Sequence, residues 1–315
     1  MFYTTLGASG IRVSRLCFGS LTIGPLQAGL SIATGASLIR RALELGVNFI
    51  DTAQCYANYP YIKAALQGWQ EPVVVATKSY DYTAAGMARS LEEARRELDR
   101  EVIDIFLLHE QETALTLAGH RPALEYLLEA KERGLVRAVG ISSHAVAAVR
   151  AAAMMPEVDI IHPLYNQAGL GILDGSREEM LAAITLAHTN GKGIYAMKAL
   201  GGGHLVSQAR QALEFVLATP VIDAVAVGMQ SLAEVEVNVA WISGREPAAE
   251  LLVEVQGRGR RLLVEDWCRG CGSCVKRCPQ GALELAGGRV VVEPDKCILC
   301  GYCAGACRDF CLKVI

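Results

Sequence analysis

The sequence is short of several features that would mark particular classes of protein. No apolar run approaches the ~20 residues needed to cross a bilayer, so a membrane is not an expected partner. Charge of one sign is missing too: 30 Lys and Arg face 33 Asp and Glu, a net charge of −3. Nucleic-acid binding usually leaves a basic footprint, so nucleic acid is not an expected partner either. The N-terminal stretch MFYTTLGASGIRVS lacks the apolar core of a secretory signal. No histidine lies beyond His204, and aromatic residues make up only 6% of the 315 positions. With no secretory signal, thiols are expected to stay reduced, which argues against a disulfide framework and for a cytoplasmic location.

Cysteine is what the chain has in excess. Nine of its 11 cysteines fall between Cys268 and Cys311. Eight of them spell one pattern twice: Cys268-x2-Cys271-x2-Cys274-x3-Cys278-Pro279, then Cys297-x2-Cys300-x2-Cys303-x3-Cys307. In such a run three close thiolates cap one [4Fe–4S] cubane, and the fourth reaches to the second cluster. The expected ligand sets are Cys268, Cys271, Cys274 with Cys307, and Cys297, Cys300, Cys303 with Cys278. Zinc is a poorer match, because zinc sites usually pair two C-x2-C units or draw on histidine. Between the motifs, ALELAGGRVVVEP reads as two short strands around a Gly287-Gly288 turn. The segment resembles bacterial two-cluster ferredoxins, which implies a small α+β domain handling single electrons. It departs from them at Arg308, where proline is common, and in its ninth thiol, Cys311, which reads as a small buried hydrophobe.

The rest of the chain is organised differently. Hydrophobic residues reach 52%, with 31 glycines, a composition suited to a buried parallel sheet wrapped by helices. Short apolar runs alternate with longer amphipathic ones. Strands are expected at Arg15–Gly19, Val47–Asp51, Val73–Lys78, Asp104–His109, Val136–Ser142, Asp159–Leu164, Gly193–Lys198 and Ala224–Gly228. Helical patterns lie between them, including Met87–Leu98, Ala123–Arg133, Arg177–Thr189 and Ser207–Ala218, with Gly134 and Gly191 as stop signals. Eight strand–helix pairs in a row point to an α/β fold, a (β/α)8 (TIM) barrel. The residues before the first strand suggest a hairpin around Ala8–Gly10 that closes the barrel floor. The expected division is a barrel over 1–243, a linker over 244–266 and a ferredoxin-like domain over 267–315.

Barrels place their chemistry at the C-terminal ends of the strands, and those ends are polar here. The second ends in Asp51-Thr52-Ala53-Gln54-Cys55-Tyr56, the third in Ala76-Thr77-Lys78, the fourth in Leu107-Leu108-His109. Reducing a carbonyl takes a hydride at carbon and a proton at oxygen. Tyr56 is the expected general acid. Lys78 would lower its pKa, Asp51 would hold Lys78, and His109 would donate to the oxygen as charge develops there. The alternative is a structural Asp51–Lys78 ion pair beside a core histidine. Cys17 reads as core. Cys55 reads as packing, with a redox thiol as the alternative.

These four residues resemble the catalytic tetrad of the aldo-keto reductase superfamily, whose Asp and Tyr sit in D-T-A-x-x-Y. The resemblance covers roughly residues 1–240 and implies a nicotinamide cofactor, NAD(H) or NADP(H), with a small carbonyl or alcohol substrate. It implies cofactor contacts at Ser142, His162, Asn166, Met197, Lys198, Gly228, Ser231, Glu234 and Asn238. Several depart from the family. Gly140-Ile141-Ser142-Ser143 stands for G-x-S-N, His162 for a Gln with a packed histidine as its alternative, and Met197 for a stacking aromatic. Glu234 stands where an Arg often grips the 2′-phosphate, so NADH is expected over NADPH. Gly201-Gly202-Gly203 beside Lys198 suggests either an anion-binding loop or a mobile one.

Nicotinamide moves two electrons together, a cubane one. Coupling them normally takes a pair-splitting cofactor such as flavin, for which no motif is present. Three arrangements follow: a reductase whose clusters exchange electrons with a redox partner protein or a further cofactor, a reductase with structural clusters, and an electron-transfer protein whose barrel is a docking scaffold.

Overall fold

The computed structural model describes residues 1–315. The chain opens with an antiparallel hairpin, β1 (Tyr3–Thr5) and β2 (Arg12–Ser14). Eight parallel strands follow: β3 (Leu16–Gly19), β4 (Phe49–Asp51), β5 (Val74–Ser79), β6 (Ile103–Leu108), β7 (Val136–Ser143), β8 (Ile160–Pro163), β9 (Gly193–Ala196) and β10 (Ala224–Gly228). They pair in chain order, and β10 closes on β3 to make a barrel. Around it run α1 (Ile32–Glu44), α2 (Tyr59–Leu66), α3 (Ala84–Leu98), α4 (Ala114–Gly119), α5 (Arg121–Glu132), α6 (Val146–Ala153), α7 (Arg177–Thr189), α8 (Ala209–Leu217) and α9 (Leu232–Ile242).

Local chemistry explains where these elements stop. Ser176 caps α7 in a reciprocal capping box with Glu179. Gly134 and Gly191 follow α5 and α7 at φ 74° and 77°, and their successors bond back to Ala130 and Ala187, which closes each helix as a Schellman turn. Strand β9 ends two residues sooner than its apolar pattern suggests, because Lys198 turns left-handed at φ 58°.

Inward-facing strand residues fill the lumen. Cys17, Phe49, Ile105, Leu107, Ile160 and Tyr195 form one buried cluster, joined from below by Leu6, Ile11 and Val13 of the hairpin segment. The hairpin is therefore the barrel floor. Burying those three side chains is worth roughly 1.5–3 kcal/mol each. A larger apolar cluster lies between the strands and the helices.

Beyond α9 come α10 (Ala249–Gly257), β11 (Leu262–Val264), α11 (Ser273–Arg277), β12 (Leu283–Ala286), β13 (Arg289–Val292) and β14 (Leu312–Val314). The β12–β13 hairpin turns at Gly287 and Gly288, both at positive φ as a type I′ turn requires. The pairing of β11 with β14 brings together the end of the linker segment and the last residues of the chain. These three-residue strands are too short to carry a readable alternation.

The C-terminal unit sits on the barrel mouth. Phe310, 2% exposed, fills a notch between two glycines: a Cβ on Gly171 or Gly202 would come within 2.9 or 3.0 Å of its ring. A Cβ on Gly203 would lie 1.9 Å from the Val314 carbonyl oxygen. The Nε2–H of His204 donates to the Leu312 carbonyl at 2.9 Å. The glycine run after β9 thus permits close packing of β14.

Candidate active site

The strand ends bring the four expected catalytic residues together. Lys78 Nζ donates to both Asp51 oxygens at 2.8 Å and to the Thr52 carbonyl at 2.7 Å. Both side chains are buried, so this is a desolvated ion pair that depends on its geometry. Tyr56 stands over the pair, with Lys78 Nζ 5.1 Å from its ring centre. Burial, followed by the Asp51 carboxylate, holds the Tyr56 phenol well above the ordinary tyrosine range. The expected lowering by Lys78 is absent from this state, because that ammonium faces Asp51. Tyr56 is consequently protonated at neutral pH, the form a proton donor needs.

His109 lies edge-on to Tyr56, ring centres 5.8 Å apart. Burial, then Lys78, holds it well below the usual histidine range, so the ring is neutral. Its Nδ1 is 3.7 Å from Cys55 Sγ, and Tyr80 stacks on the ring at 4.3 Å. Cys55 is pushed up to about 11 by burial, which makes it a poor nucleophile at neutral pH.

Sequence reasoning missed several members of this site. Tyr195 donates from its hydroxyl to Asp51 Oδ1 at 3.0 Å. Glu110 accepts from the Tyr80 hydroxyl and lies 3.7 Å from His144 Nε2. His144 Nε2 is 3.0 Å from Lys198 Nζ. The available signal was alternation along a barrel strand: Tyr195 is two residues before Met197 and shares its inward face. No sequence signal pointed to Lys313 or Phe310, which reach the mouth from the far end of the chain.

The nine expected cofactor residues divide. His162, Met197, Lys198, Gly228, Glu234 and Asn238 line a cavity of about 1660 Å³ together with the tetrad. Ser142, Asn166 and Ser231 lie outside its wall. Ser142 Oγ accepts from the Glu110 amide at 2.8 Å, Asn166 closes its own loop through Leu170, and Ser231 caps α9. His162 stacks on Tyr195 at 3.8 Å and donates from Nδ1 to its carbonyl at 2.6 Å. Burial lowers it to about 4. Glu234 accepts from the Gln230 amide at 2.7 Å. It also faces Arg260 at 3.2 Å and Arg258 at 3.6 Å, so its charge is opposed by the basic turn before β11.

The cysteines fall into the two expected quartets. Cys268, Cys271, Cys274 and Cys307 surround one small pocket, with Cys311 beside them. Cys278, Cys297, Cys300 and Cys303 surround another. Each set of four thiols lines its own small pocket, and four thiolates are the ligand complement of one [4Fe–4S] cubane. The amide of Ala282 donates to Cys278 Sγ at 3.3 Å, and that of Cys311 to Cys307 Sγ at 3.3 Å. Cys311 thus occupies the place that Ala282 holds in the other half, which accounts for a buried ninth cysteine. Arg269 and Asp309 line both the first pocket and the large cavity.

Comparison with known proteins agrees with this geometry. Residues 15–212 match the aldo/keto reductase family, and residues 262–308 match a 4Fe-4S dicluster domain. The L-galactose dehydrogenase of Arabidopsis thaliana is 24% identical over 299 residues, covering 80% of this chain and 92% of its own length. The 6-dehydroglucose reductase of Novosphingobium aromaticivorans is 29% identical over 160 residues, 45% of this chain and 51% of that protein. The holo form of aldo-keto reductase AKR11C1 from Bacillus halodurans has the same fold, with a TM-score of 0.66 at 23% identity, over 81% of this chain and 95% of that one. No helix of the chain is long and apolar enough to cross a membrane. An eight-stranded parallel barrel with a matching sequence over most of its length, continued by a 4Fe-4S dicluster domain, makes this chain an oxidoreductase of the aldo/keto reductase family.

Proposed function

We propose that the barrel interconverts a carbonyl and an alcohol using NAD(P)H, and that two [4Fe–4S] clusters transfer electrons at the wall of the same cavity. The observation that carries this reading is the shared cavity. It is lined by Asp51, Tyr56, Lys78 and His109 from the barrel and by Asp309, Phe310 and Lys313 from the C-terminal unit.

A nicotinamide supplies the hydride when bound, against a wall that includes His162, Met197 and Asn238. The chain does the rest. Tyr56 gives its proton to the carbonyl oxygen, and solvent returns one to the phenolate. The neutral His109 ring donates a hydrogen bond to the oxygen as charge grows there. Asp51, held by Lys78 and Tyr195, fixes the ammonium beneath the ring of Tyr56. The Glu234 carboxylate favours NADH, and Arg258 and Arg260 limit that preference. A tenfold higher catalytic efficiency with NADPH overturns it. A redox partner protein delivers or removes electrons at the clusters, and the units divide as residues 1–243, a linker over 244–266, and 267–315.

The test is anaerobic. The clusters are reduced in the full chain, the reductant is removed, and NAD⁺ is added. NADH in proportion to the electrons held supports the wiring, and it requires a pair-splitting cofactor between clusters and nicotinamide. No NADH, with aldehyde reduction by added NADH intact, refutes the wiring and leaves the clusters structural or serving an outside partner.

The packing of β14 favours a second reading, in which the clusters staple the tail to the barrel. Loss of barrel folding when the tail is cut at about residue 262 supports that reading.

A further inference from the structure

The mouth holds two lysines that carbonyl chemistry leaves unused, one from each half of the chain. Lys198 follows β9 in a left-handed conformation, φ 58°. That state costs a non-glycine residue of order 1–3 kcal/mol, and such strain clusters at functional sites. Lys313 lies in β14 and is 5% exposed. Both line the large cavity. Both ammonium groups face the ring of Phe310, 5.1 Å and 3.3 Å from its centre.

Neither has a carboxylate partner. Lys198 Nζ meets His144 Nε2 at 3.0 Å, and Lys313 Nζ donates to the Phe310 carbonyl. Glu110 and Glu265 act on them only through space. Burial lowers both lysines, and the charge of Lys198 helps bring Lys313 to about 6. Lys313 is thus held largely neutral near Lys198, and its protonation becomes favourable when a negative charge joins the pair. The cavity gives such a charge access to both.

We propose that Lys198 and Lys313 form a composite oxyanion site, one lysine from the barrel and one from the cluster unit, that binds a carboxylate of the substrate or a phosphate of the cofactor. The existence of the site is independent of turnover; only the identity of the anion rests on the carbonyl-reducing reading. Either source presents delocalised negative oxygens to two ammonium donors.

The experiment is titration calorimetry under nitrogen on the cluster-loaded full chain. The probes are inorganic pyrophosphate, NADH, 4-carboxybenzaldehyde and its neutral isostere 4-carbamoylbenzaldehyde. Lys313→Gln is expected to weaken at least one anionic probe tenfold or more, Lys313→Arg to keep it within threefold, and the carbamoyl compound to be unchanged. Loss confined to 4-carboxybenzaldehyde assigns the site to substrate; loss of pyrophosphate and NADH assigns it to the cofactor. Equal binding of every anion by the wild type and Lys313→Gln overturns the site, as does an equal loss for charged and neutral aldehydes. Lys198→Gln gives the same readout should Lys313→Gln fail to hold its clusters. Because binding is read without turnover, a barrel that binds the anion and reduces no aldehyde refutes the proposed reaction and leaves the site standing.

Discussion

Tyr56 is the residue on which the proposed chemistry turns. Tyr56→Phe removes the proton donor and keeps the ring. The expected result is a loss of 10²-fold or more in kcat for aldehyde reduction, with cofactor affinity and cluster absorbance preserved. Undiminished reduction would remove both reductase readings and leave the barrel a scaffold. His162 sets a second expectation. Its pKa is about 4 in the fold and near 6.5 unfolded, so the unfolded chain takes up the proton first as pH falls. Stability is complete above about pH 6.5 and declines towards pH 4, by up to about 1.4 kcal/mol per pH unit. His109 and His144 are shifted in the same direction. Urea midpoints at pH 7.5 and 5.5 measure this, and His162→Gln should flatten the slope; parallel slopes refute it. The grouping of these four side chains was legible in the sequence because Asp51 and Tyr56 share one short motif, while Lys78 and His109 end neighbouring strands. Tyr195, Glu110 and His144 were not, since their roles depend on which side chains a closed barrel turns inward.

Among the elements, the barrel strands were readable because each is a run of apolar residues long enough to show. The strands of the C-terminal seam were not. Three residues, LLV against LKV, carry no period, and only the fold brings residue 262 to residue 314. The glycine run after β9 allows close contact, which neither of its sequence readings, an anion-binding or a mobile loop, included. Gly203→Ala should therefore dislodge β14, because the new methyl meets the Val314 carbonyl and φ is 89°. A cost of about 1–3 kcal/mol is expected, read as faster proteolysis between residues 243 and 266 with the barrel intact. Unchanged cleavage would show that the seam tolerates the shift. The basic turn before β11 makes a further case. Arg260→Ala frees the Glu234 carboxylate and should raise the NADH-to-NADPH efficiency ratio severalfold; a fall in that ratio would assign Arg260 to the 2′-phosphate itself.

At the scale of the whole molecule, the two units share a cavity rather than merely a chain, and in the proposed function that cavity is the reaction chamber. Cutting before residue 262 removes Phe310 and Lys313 from the wall and uncovers the glycine notch. The truncated barrel should lose aldehyde turnover at least tenfold even if circular dichroism shows it folded. Retained turnover would mean that the tail only docks there. The core of the C-terminal unit includes Cys274 and Cys303 beside Leu283, Val290 and Leu312, so two cluster cysteines belong to the packing that holds β14. Small cores of this kind gain their folding energy largely from the bound metal. The wall of the chamber is then as durable as the iron within it. Stripping the clusters is then expected to dismantle one side of this cavity and leave the barrel standing, so that the completeness of the site reports whether its iron is in place.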